Sequence, residues 1–138
     1  MIALTRRYGF PAAHVLRHPA FDEARNRRVY GQCANLAGHG HDYGLEITVT
    51  GPVDPASGQL VDRQALDGVV RERVLERFGS RLLNEDPAFA ERVPTAENIA
   101  SVIHEELSQP LRTRCGARLV RVRLRETRKN SFSTGELS

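Results

Sequence analysis

The stretch GQCANLAGHGHDYGLEITV, Gly31–Val49, decides how this chain is read. Its second half places Tyr43, Leu45, Ile47 and Val49 on one parity, with Glu46 and Thr48 on the other. A strict period of two marks a half-buried strand, because successive side chains point to opposite faces of a sheet. Carried back toward the N-terminus, the same phase includes His39 and His41, so both imidazoles share the apolar face. Cys33 stands six residues before His39, in a loop held by Gly31 and Gly38. These three residues are either a metal and nucleophile site or polar residues leading into a strand, and partners elsewhere in the chain decide which.

Working outward, IALTRRYGFPAAH puts Ile2, Leu4, Tyr8 and Phe10 on one parity with Arg6 interrupting, a strand expected to end near Pro11. The Arg-rich segment that follows, RHPAFDEARNRRVYGQC, has no sustained periodicity and reads as a loop. After the central strand, GPVDPASGQLVD is turn-rich, with a hairpin-like return expected through Gln59–Val61. Asp62 is placed to cap a helix over residues 63–78, where Leu66, Val70, Val74 and Phe78 form a stripe that Gly79 ends. VPTAENIASVIHEELSQP reads as a second helix, capped by Thr95, with Glu97 in its first turn and Ile99, Val102, Ile103 and Leu107 on its apolar face. ARLVRVRLRET alternates again, with Val120, Val122 and Leu124 on one side and Arg121, Arg123 and Arg125 on the other. The order predicts a single α+β domain over 1–138, an antiparallel sheet with two helices on one face.

Composition narrows the function classes. Charged residues at 27% and hydrophobic ones at 40% describe a globular protein, and 138 residues suffice for one core without disulfide staples. No apolar run approaches the ~20 residues of a membrane span, and no signal-type apolar segment opens the chain, so a cytoplasmic protein is expected. Cys33 and Cys115 give no reason to draw a disulfide. The net charge of +3 rests on arginines, Lys129 being the only lysine, and aromatics are only 6%. That pattern favours a basic pocket for a small anion over a nucleic-acid surface.

Histidine chemistry sharpens the site. Two imidazoles two residues apart on one strand face are able to bind one ion, and His14 follows the first strand on the parity of Phe10 and Ala12. Three histidines leave a fourth tetrahedral position open, the pattern of a catalytic zinc; the alternative is hydrogen-bonded or surface histidines. His18 and His104 have no such geometric support. Cys33 is either a nucleophile or ligand with a lowered pKa, or a buried inert thiol like Cys115. Glu126 shares the inward parity of the last strand, and a carboxylate there needs an arginine or a ligand offering N–H donors.

Together these segments resemble the family of 6-pyruvoyl- and 6-carboxy-tetrahydropterin synthases. FPAAH resembles its first zinc-ligand segment, and FDEARNRRVYGQCANLAGHGHDY its long loop, catalytic cysteine and H-G-H ligands. VPTAENIA resembles the helix start near the pterin, and LRET the strand end with the pterin-anchoring glutamate. The resemblance implies the tunnelling fold, a four-stranded antiparallel sheet with two helices on one side, whose sheets join into a barrel in trimers or hexamers. It implies a zinc ion on His14, His39 and His41, a proton-shuttling Cys33, and Glu126 holding the pterin. Thr95, Glu97 and Thr127 are placed near the pterin by the same resemblance. The implied reaction converts 7,8-dihydroneopterin triphosphate to 6-pyruvoyl-tetrahydropterin with loss of triphosphate. The C-x5-H-x-H spacing resembles this branch rather than the queuosine-pathway 6-carboxy-tetrahydropterin synthases, whose spacing is shorter. One departure stands out: Gly79 and Ser80 occupy the place of an Asp-His pair that usually serves the cysteine. The alternatives are a 6-carboxy-tetrahydropterin synthase of the queuosine pathway and, because of this departure, a divergent pterin-binding homologue with weak or altered activity.

Overall fold

The alternation in residues 43–49 extends along the whole of strand β2 (His39–Thr50) in the computed structural model, which describes residues 1–137. On one side β2 pairs antiparallel with β1 (Ala3–His14), and on the other with β3 (Arg118–Arg125). Strand β4 (Ser131–Gly135) completes a four-stranded sheet in the order β1-β2-β3-β4. One face, carrying Phe10, Tyr43, Leu45, Ile47, Val122 and Leu124, joins the helices in a single hydrophobic core. The other face carries Thr5, Arg7, Glu46, Arg121 and Arg123, which are exposed or half-buried. The expected α+β layering is the one observed.

Both expected helices form. Asp62 accepts from the N–H groups of Gln64 and Ala65, starting α2 (Arg63–Val70), which continues through a π turn (Arg71–Leu75) into α3 (Glu76–Phe78). Leu66, Val70, Val74 and Phe78 are fully buried along it, as the stripe predicted. Thr95 Oγ1 accepts from Asn98 N–H and opens α4 (Ala96–Cys115), whose Ile99, Val102, Ile103 and Leu107 also lie in the core.

Six local expectations are corrected. Strand β1 passes Pro11 and ends at His14. Pro11 is tolerated because β1 is an edge strand and Pro11 turns its backbone outward, where its carbonyl accepts from Ser80 N–H at 2.6 Å. Arg6 does not break the pattern, since its guanidinium donates through Nε and Nη2 to the two oxygens of the Asp67 carboxylate on α2. Residues 59–61 form no strand: Asp54 and Gln59 close a turn, and the fourth strand is β4 instead. A bulge between Thr48 and Val49 changes the pairing of β3, so Leu119 takes the inward place expected for Val120. Gly135 then fits against the Val120 carbonyl, where a Cβ would lie only 2.2 Å away. Helix α4 outruns its expected end at Pro110, because buried Leu111 holds the last turn and Gly116, at φ 63°, caps it. Finally, the Arg-rich segment holds a helix, α1 (Glu23–Tyr30), capped by Asp22 and masked in the sequence because Asn26 is its single buried residue.

Candidate functional site

At the far end of β1 and β2 the inward face is lined by histidines rather than aliphatic groups. The register pairs His14 with His39 and Ala12 with His41, so all three imidazoles lie beyond Phe10 and Tyr43 on one surface. His14 is fully buried, and its Nδ1 lies 2.9 Å from the Pro94 carbonyl oxygen and 3.3 Å from the Tyr43 hydroxyl. A carbonyl only accepts, so Nδ1 carries the proton and Nε2 bears the lone pair. That Nε2 sits 3.1 Å from His41 Nε2, and Cys33 Sγ is 3.8 Å from the same His41 atom. The donor atoms of His14, Cys33 and His41 all lie within 4.8 Å of one another. His39 stands beside them, its ring 4.7 Å from that of His41 between centroids, outside this tightest group.

The electrostatics suit cation binding. Burial pushes the imidazoles of His14 and His41 below their ordinary range, so both are neutral at neutral pH with a lone pair to offer. Two such nitrogens in contact require either a proton on one of them or a cation bonded to both. Nitrogens on one tetrahedral zinc, at about 2.05 Å each, stand about 3.3 Å apart, close to the observed spacing. Glu126, the first residue after β3, lies 4.0 Å from each Nε2 with a side chain only 16% exposed. Burial, aided by the Glu126 charge, pushes the Cys33 thiol up, so it ionises only with help from a cation.

The other expected residues divide. Thr95 follows Pro94, the His14 acceptor, but spends its hydroxyl on the helix cap. Glu97 is exposed in the first turn of α4. Thr127 Oγ1 accepts from the N–H groups of Lys129 and Asn130, bracing the β3–β4 turn. Gly79 and Ser80 lie along the outer edge of β1, with Ser80 in the left-handed region at φ 59°. A Cβ at position 79 would stand 2.4 Å from the Leu75 carbonyl, so this backbone excludes an aspartate there. A cavity of about 470 Å³ opens beside them, lined by Ala13, Gly40, His41, Asp42, Ser80 and Arg81. Sequence patterns missed two residues that hold the site. Pro94 fixes the His14 tautomer, and Asn84 grips both backbone groups of Val15 at 2.8 Å, just past the strand end. Neither contact has a local periodicity, so no sequence signal marks it.

Known proteins resemble this chain in sequence and fold. The family model described as 6-pyruvoyl tetrahydropterin synthase matches residues 3–136. The chain belongs to the 6-pyruvoyl tetrahydropterin synthase family. It is 35% identical over 131 residues to the 6-pyruvoyl tetrahydrobiopterin synthase of Drosophila melanogaster, covering 94% of this chain and 77% of that one. The human enzyme of that name is 34% identical over 109 residues, covering 78% of this chain and 75% of its own. The solved structure of Caenorhabditis elegans 6-pyruvoyl tetrahydropterin synthase superposes with a TM-score of 0.86 at 32% identity, covering 97% of this chain and 94% of that one. The fold is the tunnelling fold of that family. Among the described residues, no helix is long and apolar enough to cross a membrane.

Proposed function

We propose that this protein is a zinc-dependent pterin lyase, converting 7,8-dihydroneopterin triphosphate to 6-pyruvoyl-tetrahydropterin with elimination of triphosphate. The observation that carries the reading is the convergence of His14, His41, Cys33 and Glu126 at one strand end in a member of this family. His14, His39 and His41 would hold the zinc through their imidazoles. When bound, the ion polarises the substrate side-chain hydroxyls and stabilises negative charge that develops beside them. Glu126 accepts N–H donors of the pterin ring and fixes its orientation, with Thr95, Glu97 and Thr127 around it. Cys33, at the edge of the histidines, moves a side-chain proton. Triphosphate leaves, and the side chain is oxidised as the ring is reduced, so no outside redox partner is needed.

The uncovered sheet face, the outer edge of β4 and the part of the β1 edge before Pro11 support assembly of a homo-oligomer, a trimer or hexamer in which sheets join into a barrel. A cytoplasmic location fits the reduced cysteines, Cys33 and Cys115, neither of which is in a disulfide.

The backbone at Gly79 favours a second reading, a pterin-binding homologue with altered turnover, because the relay pair has no room to be restored there. Incubation of zinc-loaded protein with dihydroneopterin triphosphate, with the product identified, tests both. Pyruvoyl product that disappears in Cys33→Ala is the expected result; bound pterin with no product supports the second reading, and carboxy product points to the queuosine-type reaction. Metal analysis of His14→Ala is expected to show at least a tenfold loss of zinc affinity, and unchanged affinity sinks the ligand assignment. Glu126→Gln is expected to weaken pterin binding while sparing zinc.

A further inference from the structure

Cys33 is carried by a segment with its own small interior. Between β1 and β2 the chain makes an excursion, residues 15–38, whose buried apolar residues Leu16 and Ala34 lie outside the hydrophobic core formed by the sheet and helices. Polar contacts organise the excursion instead. Its one buried polar residue is Asn26 on α1, only 3% exposed, whose side chain does two jobs. Its Oδ1 accepts from His18 N–H at 2.9 Å, and its Nδ2 donates to the Phe21 carbonyl at 3.2 Å. Those bonds fold residues 18–21 back onto α1, and Phe21 is covered there by the Arg25 guanidinium. From this same turn the neighbouring Arg17 reaches Glu23 on α1 and donates to the Ala34 carbonyl at 2.8 Å, while Leu16 N–H donates to the Cys33 carbonyl at 2.6 Å. The chain of contacts thus runs from Asn26 through residues 16–18 to the carbonyls of Cys33 and Ala34.

We propose that Asn26 is a positioning residue for Cys33, holding the thiol against His41 through the polar interior of this excursion. The proposal rests on the reading of Cys33 as the proton-moving group, and adds what keeps it in place. A buried amide with both its donor and acceptor engaged is costly to leave half-paired, so losing it loosens the segment locally. The histidines stand on β1 and β2, and Glu126 directly follows β3, so these groups are held by the main sheet and stay where they are.

Two readouts test this on zinc-loaded protein carrying Asn26→Ala, with Asn26→Asp as the isosteric variant that loses the donated bond to Phe21. The first is the rate of alkylation by iodoacetamide at Cys33 and at Cys115, read on separate peptides; Cys115 ends α4 in the main core and serves as the internal reference. Cys33 is expected to react about tenfold faster, with Cys115 unchanged. The second is steady-state kinetics with dihydroneopterin triphosphate, expected to show kcat falling on the order of 10²-fold at unchanged KM. Equal acceleration at both cysteines, or none at Cys33 in either variant, overturns the proposal. A wild-type protein that binds zinc but makes no product, with the Cys33 alkylation difference intact, instead overturns the functional reading and leaves the positioning role standing.

Discussion

The sheet-and-helix core and the 15–38 excursion are held together by opposite means. In the core, aliphatic and aromatic side chains from β1, β2, β3, α2 and α4 exclude water from one continuous interior. The excursion has only two buried apolar residues, Leu16 and Ala34, and relies on Asn26, Arg17 and backbone bonds. Burial of apolar area is non-directional, whereas hydrogen bonds fix distance and angle. The protein thus mounts His14, His41 and Glu126 at the margin of a rigid sheet and brings Cys33 to them on a directional but weakly anchored arm. The histidines need only stay put; the thiol must sit beside them without filling their space.

The largest effect that tests this contrast is expected in the core. Phe78→Ala removes a fully buried ring packed against Phe89 and is expected to cost about 4 kcal/mol, read from urea unfolding. Leu16→Ala, inside the excursion, is expected to cost about 2 kcal/mol, appearing as faster amide exchange over residues 16–34 with a smaller shift in the urea midpoint. Equal midpoint shifts for the two variants would mean the regions unfold as one unit, and the contrast would fail.

The tie between the regions is the segment after α3, where Asn84 grips Val15 and Asp86 pairs with Arg77. The Arg77 guanidinium holds the Asp86 carboxyl below the usual carboxylate range. Between its folded pKa and the ordinary value near 3.9, the unfolded chain binds more protons, so this contribution is present at neutral pH and lost on acidification through that window. Asp86→Asn is expected to lower stability by about 2 kcal/mol at neutral pH and to flatten the acid limb of the stability profile. An acid limb identical to that of the wild type would remove Asp86 from the account. The smallest effect is expected at the α4 cap, where Thr95→Ala should cost about 1 kcal/mol and Thr95→Ser almost nothing.

Strand alternation and helix stripes were legible because each depends on side chains near in sequence that face one core. Asp62 and Thr95 could be read as caps because a cap bonds to N–H groups two or three residues ahead. Where several forces compete locally, side-chain pattern alone does not decide the structure. Helix α1 carries no apolar face, β4 is short, and the bulge at Val49 transfers the inward place from Val120 to Leu119. The inward phase of His14, His39 and His41 followed from parity alone, as did the inward parity of Glu126.

What parity could not supply was distance. The 3.1 Å approach of His14 Nε2 to His41, the Pro94 carbonyl that orients the ring, and the Asn26 network behind Cys33 each join residues far apart in the chain or hidden in a polar segment. The sequence by itself determined which residues face inward, because that choice is local and repeats with the backbone. Only the tertiary structure decided which donor atoms meet, because meeting depends on how strand register, loop closure and packing add up across the whole fold.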